Sequence, residues 1–409
     1  MLRAVEATAD AARVKPVADS AAATLHNSLT VITSLNALTE MEAQWRDLEA
    51  HVQNHISVFQ SFDWIMAWAQ TYLIEKPSLS LHILAGYEDG KLVYLWPLMR
   101  DRRMGLSVLT WLSEPFGQYG DVLSRQGANA RQWMESSIAF LKRLRDVDLL
   151  RLRHVRADSH LATHGQALFI DANASDKAPF LDLTQFATEA EYDARYTSVQ
   201  RKRRKKIRKS IEERGEVKFA RLPVGSIADV AIQNAIAEKN AWLSERGRMN
   251  RVMSCVSHGP FLKTLSRRLG GSVEVVVTEL TAGEKPVSWE VGFRHRGVHY
   301  GYITSHVNAL TNLSPGRLHM DLSQRACLAD GMSQFDLMVP NDAHKESWSS
   351  GTVDTRDYYL PLSATGTAVG HIYIRTLRPL VRSLYYKMTS RKFSLRTMLK
   401  STPTPAKDA

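Results

Sequence analysis

The stretch FDLMVPNDAHKESW, residues 335–348, joins a short apolar run to a polar loop. The run predicts a buried strand over residues 334–339, because apolar side chains dominate it and turn-forming residues follow. The loop behind it carries Lys345, Glu346 and Trp348. Polar groups on a loop that a buried strand holds in place are typical of binding and catalytic sites. This stretch is therefore the first candidate for a functional site.

This stretch belongs to a series of predicted strands and helices whose order occurs twice along the chain. In the first half the apolar pattern predicts a strand at 29–33, helices at 35–51 and 62–72, strands at 79–87, 92–99 and 106–112, a helix at 128–144, and strands at 147–152 and 178–183. In the second half it predicts a strand at 216–222, helices at 227–245 and 259–269, strands at 273–280, 287–294 and 298–304, a helix at 316–331, and strands at 334–339 and 358–362. The repeat predicts two similar domains of the α+β class, with a mixed sheet.

The length of the chain also favours two domains, since 409 residues exceed what one ordinary core needs. Changes in composition and charge divide it into five predicted parts. These are a disordered N-terminal tail at 1–28, a first domain at 29–188, a basic linking helix at 189–215, a second domain at 216–365, and a basic amphipathic helix with a tail at 366–409.

Composition places the chain among soluble globular proteins, with 44% hydrophobic and 23% charged residues. We see no apolar run of the roughly 18 residues that a membrane span needs. Cys255 and Cys327 have no metal-binding spacing, so we expect neither a disulfide framework nor a metal site. A cytoplasmic, reducing compartment is the expectation, with peripheral contact at the inner membrane left open.

The net charge of +11 points to anionic partners and says nothing about fold. Eight of the nine residues in RKRRKKIRK, residues 201–209, are basic. This segment is either a solvated helix between the domains or a contact for cofactor phosphates, anionic lipid or tRNA. The basic helix predicted from residue 371 either lies on a membrane or packs on the sheet. DNA is not an expected partner, because no recognition module accompanies the basic run.

Several local motifs, spread over residues 29–365, together resemble one family. They are Trp45, the block FQSFDWIMAW at residues 59–68, the basic helix, the second meander, the sequence LSPGR at residues 313–317, and Asp336 followed by the HK..W pattern of residues 344–348. In this order they resemble the CelD-type acyltransferases of cellulose and exopolysaccharide biosynthesis. That family belongs to the GNAT superfamily and is related to the FemABX aminoacyl transferases.

The resemblance implies two tandem GNAT-like domains and an acyl-CoA, with acetyl-CoA expected, as co-substrate rather than a tightly bound cofactor. It implies a sugar or polysaccharide as acceptor, and a synthase complex as a possible partner. The chain lacks the Gln/Arg-x-x-Gly-x-Gly/Ala loop with which ordinary GNAT enzymes hold pyrophosphate. Its nearest equivalent is the predicted helix start at Ser314, Gly316 and Arg317, where Ser314 is expected to cap the helix and Gly316 to admit a phosphate.

Four residues are candidates for catalysis: Asp336, Lys345, Glu290 and Tyr300. Asp336 stands at the family's aspartate position, where it either serves the substrate amine or forms a salt bridge. Lys345 matches the family's lysine and either contacts a phosphate or carbonyl or is solvated. Glu290 is either a general base or a residue of an exposed sheet face. Tyr300 either protonates a leaving thiolate or packs in the core.

The acceptor is expected to meet Gln118 and Tyr119, in the loop SEPFGQYGD of residues 113–121, and Trp348. Amide and aromatic groups suit sugar recognition, although an ordinary turn and simple packing explain them as well. His306 and His344 are further candidate bases.

Two other functions remain open. One is a FemABX-like aminoacyl transferase that uses charged tRNA. The other is a non-catalytic GNAT-like subunit that binds a synthase or a membrane.

Overall fold

The computed structural model describes residues 27–52, 54–103, 105–377 and 380. The predicted N-terminal tail lies outside these residues except for its last two positions. Most of the predicted C-terminal helix also lies outside them.

Thirteen strands are present in the described residues. They are β1 (Ser28–Ile32), β2 (Leu79–Glu88), β3 (Lys91–Arg103), β4 (Leu106–Trp111), β5 (Leu123–Ser124), β6 (Leu149–Arg156), β7 (Ile170–Asp182), β8 (Val217–Arg221), β9 (Glu274–Ala282), β10 (Lys285–His295), β11 (Val298–His306), β12 (Gln334–Asp336) and β13 (Gly351–Pro361).

Twelve α-helices accompany the strands in the same part of the chain. They are α1 (Leu35–Glu40), α2 (Glu42–Ala50), α3 (Phe62–Thr71), α4 (Ala130–Leu141), α5 (His160–Gly165), α6 (Glu189–Ala194), α7 (Ser198–Glu212), α8 (Ser226–Glu245), α9 (His258–Ser266), α10 (Pro315–Ala329), α11 (Ala343–Glu346) and α12 (Ala364–Ala368). The predicted order of strand, helices, meander, helix and strand is confirmed in both halves.

All strands join one mixed sheet in the order β1-β2-β3-β4-β6-β13-β7-β12-β11-β10-β9-β8, with β5 paired to β3. Each half contributes an antiparallel meander and one parallel pair, β4 with β6 and β11 with β12. At the centre of the sheet, strands from the two halves of the chain alternate. Strand β13, from the end of the chain, inserts between β6 and β7, while β7 also pairs with β12. The sheet is therefore continuous across both halves.

The largest apolar cluster also spans the halves. Trp64 of α3 packs edge-on against Phe261 of α9 and Phe293 of β10, with ring centroids 4.8 and 5.0 Å apart. All three rings are fully buried. Buried aromatic side chains of this size contribute strongly to stability, so the two halves share one core here.

Some predicted boundaries differ from the structure for local reasons. The helix predicted at 189–215 is two helices, because Thr197 and Gln200 form a capping box that starts α7. The strand predicted at 334–339 ends at Asp336, whose carboxylate accepts a hydrogen bond from the Met338 amide and turns the chain. On α7, Val199 is 73% exposed, whereas Ile211 is fully buried.

The described start of the C-terminal segment packs on the sheet. Residues Val369–Leu377 form a π-helix in which Ile374 is buried beside Tyr359 of β13, and the Tyr359 hydroxyl lies 3.2 Å from His371 Nδ1. Within the described residues, no helix combines the length and apolar character that crossing a membrane requires.

Candidate functional site

The parallel strands β11 and β12 separate soon after they begin to pair. Their register joins Val298 to Gln334, His299 to Phe335 and Tyr300 to Asp336. Strand β11 continues to His306, whereas β12 ends at Asp336. The space between the second part of β11 and the loop after β12, which we call the opening, is where the first candidate stretch lies.

A tight turn forms the wall of the opening opposite β11. The amide of Met338 donates to Asp336 Oδ1 at 2.7 Å, and Met338 adopts a left-handed φ of 58°. Lys345 Nζ then donates to the Met338 carbonyl at 2.8 Å. A left-handed conformation is unfavourable for a side chain of this kind, so the turn is held by these contacts rather than by local preference. Asp336 thereby positions Lys345 through Met338.

Two lysines meet at this opening. Lys239, from α8, donates to the Thr304 carbonyl of β11 at 3.0 Å. Burial, together with the positive charge of Lys239, lowers the pKa of Lys345 to about 8, although Asp342 and Asp336 oppose this effect. Burial also lowers the pKa of Lys239. Each ammonium group carries three N–H donors and gives one of them to a backbone carbonyl, so the opening offers donors to an anion or a polarised carbonyl oxygen.

Asp336 is fully enclosed by protein groups. Its Oδ2 accepts from Arg156 at 2.5 Å, and its Oδ1 accepts from the Tyr119 hydroxyl at 3.0 Å as well as from the Met338 amide. The Arg156 guanidinium lies 4.8 Å from the centre of the Tyr119 ring. Asp336 is 0% exposed. These contacts link β12 to β6 and to the loop of residues 113–121.

Tyr300 and Glu290 form hydrogen bonds with groups other than the two lysines. The Tyr300 hydroxyl donates to the His55 carbonyl at 2.8 Å. Glu290 Oε1 lies 2.8 Å from His299 Nε2. Both candidates are buried, so the exposed sheet face expected around Glu290 is not present. Contacts with Cys327 and Glu290 outweigh the opposing effect of burial and raise the pKa of His299 to about 10.

The start of α10 forms the outer end of the opening. Pro315 occupies the first helical turn, but Ser314 has a left-handed φ of 58° and its side chain makes no capping hydrogen bond. The expected hydroxyl cap is therefore absent. Gly316 lies beside His306, since a Cβ built on it would be 3.5 Å from His306 Nδ1.

A groove of about 230 Å³ continues outward between α7, α10 and the end of α11. Arg204 lies over two aromatic rings in its wall, 3.2 Å from the centroid of Tyr196 and 4.4 Å from that of Trp348. Its guanidinium also contacts Asp321 Oδ1 at 2.7 Å. The other charged lining residues are Arg203 and Arg317. We call this space the arginine groove.

His344 connects the opening to the arginine groove. It precedes Lys345 on α11, and its ring lies 6.4 Å from that of Trp348. Burial lowers the pKa of His344, and the charge of Arg317 adds to this effect. The charges of Lys239 and Lys345 also act on His344, so this residue lies near groups of both regions.

The loop of residues 113–121 supports the opening from behind. Tyr119 is buried with its hydroxyl on Asp336, and the Phe116 carbonyl accepts from the Tyr302 hydroxyl at 3.0 Å. The Gln118 carbonyl lies 3.1 Å from His154 Nδ1. Of the residues predicted for the acceptor, Gln118 and Tyr119 thus lie on this loop, whereas Trp348 lies in the arginine groove.

The corresponding place in the first half is partly occupied by its own side chains. Strands β4 and β6 pair at Val108 with Leu149 and Leu109 with Leu150. Beyond this point the Trp111 indole donates to the Arg153 carbonyl at 2.9 Å.

Glu114 pairs with two arginines at the same place. Its carboxylate contacts Arg153 at 2.8 Å and Arg151 at 3.3 Å. A cavity of about 200 Å³ remains beside Glu114 and Arg151, but the carboxylate of Glu114 already pairs with the positive charges there.

Asp336, Lys345, Ser314, Gly316 and Arg317 lie on the strand end, the loop and the helix start that border the opening. Sequence reasoning missed Lys239 and Arg156. A signal existed for Lys239, because it continues the buried stripe of Ile232 and Ala235 at helical spacing.

Comparison with known proteins agrees with this architecture. Residues 198–346 match the family model described as Acetyltransferase (GNAT) domain, so the chain contains a GNAT-family acyltransferase domain. No curated protein matches the sequence.

Two solved structures share the fold. The crystal structure of FemX covers 84% of this chain and 99% of its own, with a TM-score of 0.55 and 10% identity. A C-terminal DUF2156 domain from Agrobacterium fabrum, which carries the name lysylphosphatidylglycerol synthetase, covers 82% and 95%, with a TM-score of 0.50 and 11% identity. At these identities the likeness concerns the fold alone.

Proposed function

We propose that this protein transfers an acyl group from acyl-CoA to an amine or hydroxyl of a sugar precursor or polysaccharide, with acetyl as the expected group. The observation that carries the proposal is the pair of lysines, Lys239 and Lys345, where β11 and β12 separate. The GNAT-family domain supports acyl transfer. The acceptor class and the acetyl group rest on the resemblance to CelD-type proteins.

In this proposal the thioester lies in the opening with its carbonyl oxygen toward Lys345. The acceptor's nitrogen or oxygen attacks the carbonyl carbon, the carbon–sulfur bond breaks, and the proton lost by the acceptor ends on the departing thiol. The pKa of Lys345, lowered by burial to about 8, leaves the ammonium group largely protonated at neutral pH. It can then stabilise the oxyanion that forms during attack.

His306 and His344 are the proposed proton acceptors. Burial lowers the pKa of each, which keeps the rings neutral near pH 7 and able to take a proton. Asp336 is proposed as a positioning residue, because its oxygens are occupied by Arg156, Tyr119 and the Met338 amide.

The test combines calorimetry with a transfer assay. Acetyl-CoA should bind, and thiol release should require an acceptor from a panel of amino sugars and oligosaccharides. Lys345→Met should abolish most of the release, whereas Lys285→Met, at an exposed lysine of β10, should leave it unchanged. Absence of acetyl-CoA binding would overturn the proposal. Consumption of aminoacyl-tRNA would then assign the FemABX-like reaction, and inactivity with both donors would leave a binding subunit.

A further inference from the structure

The arginine groove carries more positive charge than its own carboxylate can balance. Arg203, Arg204 and Arg317 line it together with one acidic residue, Asp321, which leaves a net of two positive charges. Arg204 is held by Asp321 and by the two aromatic rings. Within the described residues, Arg203 and Arg317 have no carboxylate partner.

The arginines also act on one another. Burial lowers the pKa of the Arg317 guanidinium, and the charges of Arg203 and Arg204 lower it further. Like charges held this close are unfavourable unless an anion lies between them. The wall also contains the buried Trp348 indole, whose N–H finds no acceptor in the part of the chain that the structure describes. The groove therefore offers an excess of hydrogen-bond donors.

We infer that the arginine groove binds a phosphate group of the donor nucleotide, held by Arg203 from α7 and Arg317 from α10. Guanidinium groups bind phosphate through paired, charge-assisted hydrogen bonds, and two arginines on different helices can approach it from two directions. A phosphomonoester carries nearly two negative charges at neutral pH, which matches the net charge of the groove. This inference rests on the proposed function, because it takes the donor to be a coenzyme A thioester.

The position of the groove fits that role. Lys345 and His344 are consecutive residues of α11, and the His344 ring lies 6.4 Å from that of Trp348 in the groove wall. A donor whose thioester lies beside Lys345 can therefore extend along α11 with its nucleotide end toward α7. Part of the basic run at residues 201–209 thereby gains a specific role, since Arg203 and Arg204 face this groove.

Helix α7 offers a control that carries the same charge. Lys206 is exposed on α7 and lines neither the arginine groove nor the adjoining groove between α6, α7 and α10. Arg203→Gln, Arg317→Gln and Lys206→Gln each remove one positive charge. A difference between the first two variants and the third therefore separates a defined phosphate site from general attraction by a basic helix.

The experiment measures dissociation constants of the full-length protein for CoA, dephospho-CoA and pantetheine by calorimetry. The arginine variants should bind CoA roughly tenfold more weakly than the wild type, and should bind pantetheine equally well. Lys206→Gln should bind CoA nearly as well as the wild type. If the loss vanishes with dephospho-CoA, the groove holds the 3′-phosphate; if it persists, the groove holds the pyrophosphate. Either result supports the inference.

Two results would overturn it: equal losses in Lys206→Gln and the arginine variants, or equal affinity of the wild type for pantetheine and CoA. A separate probe distinguishes this failure from failure of the proposed function. Adenosine 3′,5′-bisphosphate carries the phosphates without the thiol arm. If it binds in an Arg203- and Arg317-dependent way while acetyl-CoA is not a donor, the groove is a phosphate site and the proposed reaction is wrong.

Discussion

Arg156 and Asp336 form an ion pair across the two halves of the chain, with Nη1 and Oδ2 separated by 2.5 Å. Their side chains are 1% and 0% exposed. Arg156 ends β6 of the first half, and Asp336 ends β12 of the second. Because Asp336 also holds the turn on which Lys345 rests, this pair connects the joint between the halves to the candidate site.

Asp336→Asn is expected to destabilise the fold and to lower activity together. Breaking a buried ion pair costs about 3–5 kcal/mol, and the loss should fall near the lower value because Arg156 keeps Asp158 as a partner at 2.9 Å. Chemical denaturation should show a loss of this size in the free energy of unfolding. Asp354→Asn, at an exposed position of β13, is the control and should change stability by less than about 0.5 kcal/mol. Equal losses in the two variants would contradict the role of the Arg156 pair.

The value of kcat/KM should fall at alkaline pH, because Lys345 loses its proton there. If the ammonium form stabilises the oxyanion, kcat/KM falls as pH rises through the lowered pKa of about 8. Lys345→Arg should move this decrease to higher pH, because guanidinium stays protonated. Lys345→Met should reduce kcat about a hundredfold.

The measurement is a pH–rate profile of the three proteins from pH 6 to 10. The Lys285→Met control should reproduce the wild-type profile. A profile for Lys345→Arg that still falls near pH 8 would assign the decrease to another group.

The order of strands and helices can be predicted from the sequence, because the meanders and amphipathic helices have clear hydrophobic periodicity. The strand order at the centre of the sheet cannot be predicted in this way. The insertion of β13 between β6 and β7 depends on pairing residues far apart in sequence, such as Gly351 with Phe180. Local patterns hold no information on such partners, so a linear reading cannot reveal that the halves exchange strands.

The same limit applies to the site. Asp336 and Lys345 lie in one motif, nine positions apart, and were predicted together. Arg156 lies 180 positions from Asp336, and its strand alternation is interrupted by His154, whose φ is 50°. The left-handed Met338 was also invisible, since glycine is the residue that normally marks such a position.

One chain is expected to bind one acyl donor, despite the repeated fold. In the first half, Glu114 pairs with Arg151 and Arg153 at the place that corresponds to the opening, so less positive charge is available there to an anionic donor. Calorimetry with acetyl-CoA should therefore give a stoichiometry near one. Lys239→Met, which removes a lysine of the second-half site, should weaken that single binding event. A stoichiometry of two, with one event unaffected by Lys239→Met, would show that the first half also binds donor.

Glu290 is expected to matter for stability and not for chemistry. It is buried against His299, and its contacts do not reach the opening. Glu290→Gln should thus retain most of the wild-type kcat while it lowers the free energy of unfolding. A large loss of kcat in a variant that remains folded would restore Glu290 as a candidate base.

The pH dependence of stability tests the Glu290–His299 pair directly. The pKa of His299 is raised to about 10 in the folded protein, so its contribution is complete below the ordinary value of 6.5 and is lost as pH rises toward 10. Between these values the folded state binds more protons, and stability falls with pH by up to about 1.4 kcal/mol per pH unit. Lys345 has the opposite effect above pH 8, because its folded pKa is lowered. Glu49 and Asp121, whose pKa values burial raises to about 7, also titrate between pH 6.5 and 8, so the test is the difference in slope between the two proteins in this window. The slope there should be smaller in Glu290→Gln than in the wild type, and equal slopes would mean that Glu290 does not hold the His299 proton.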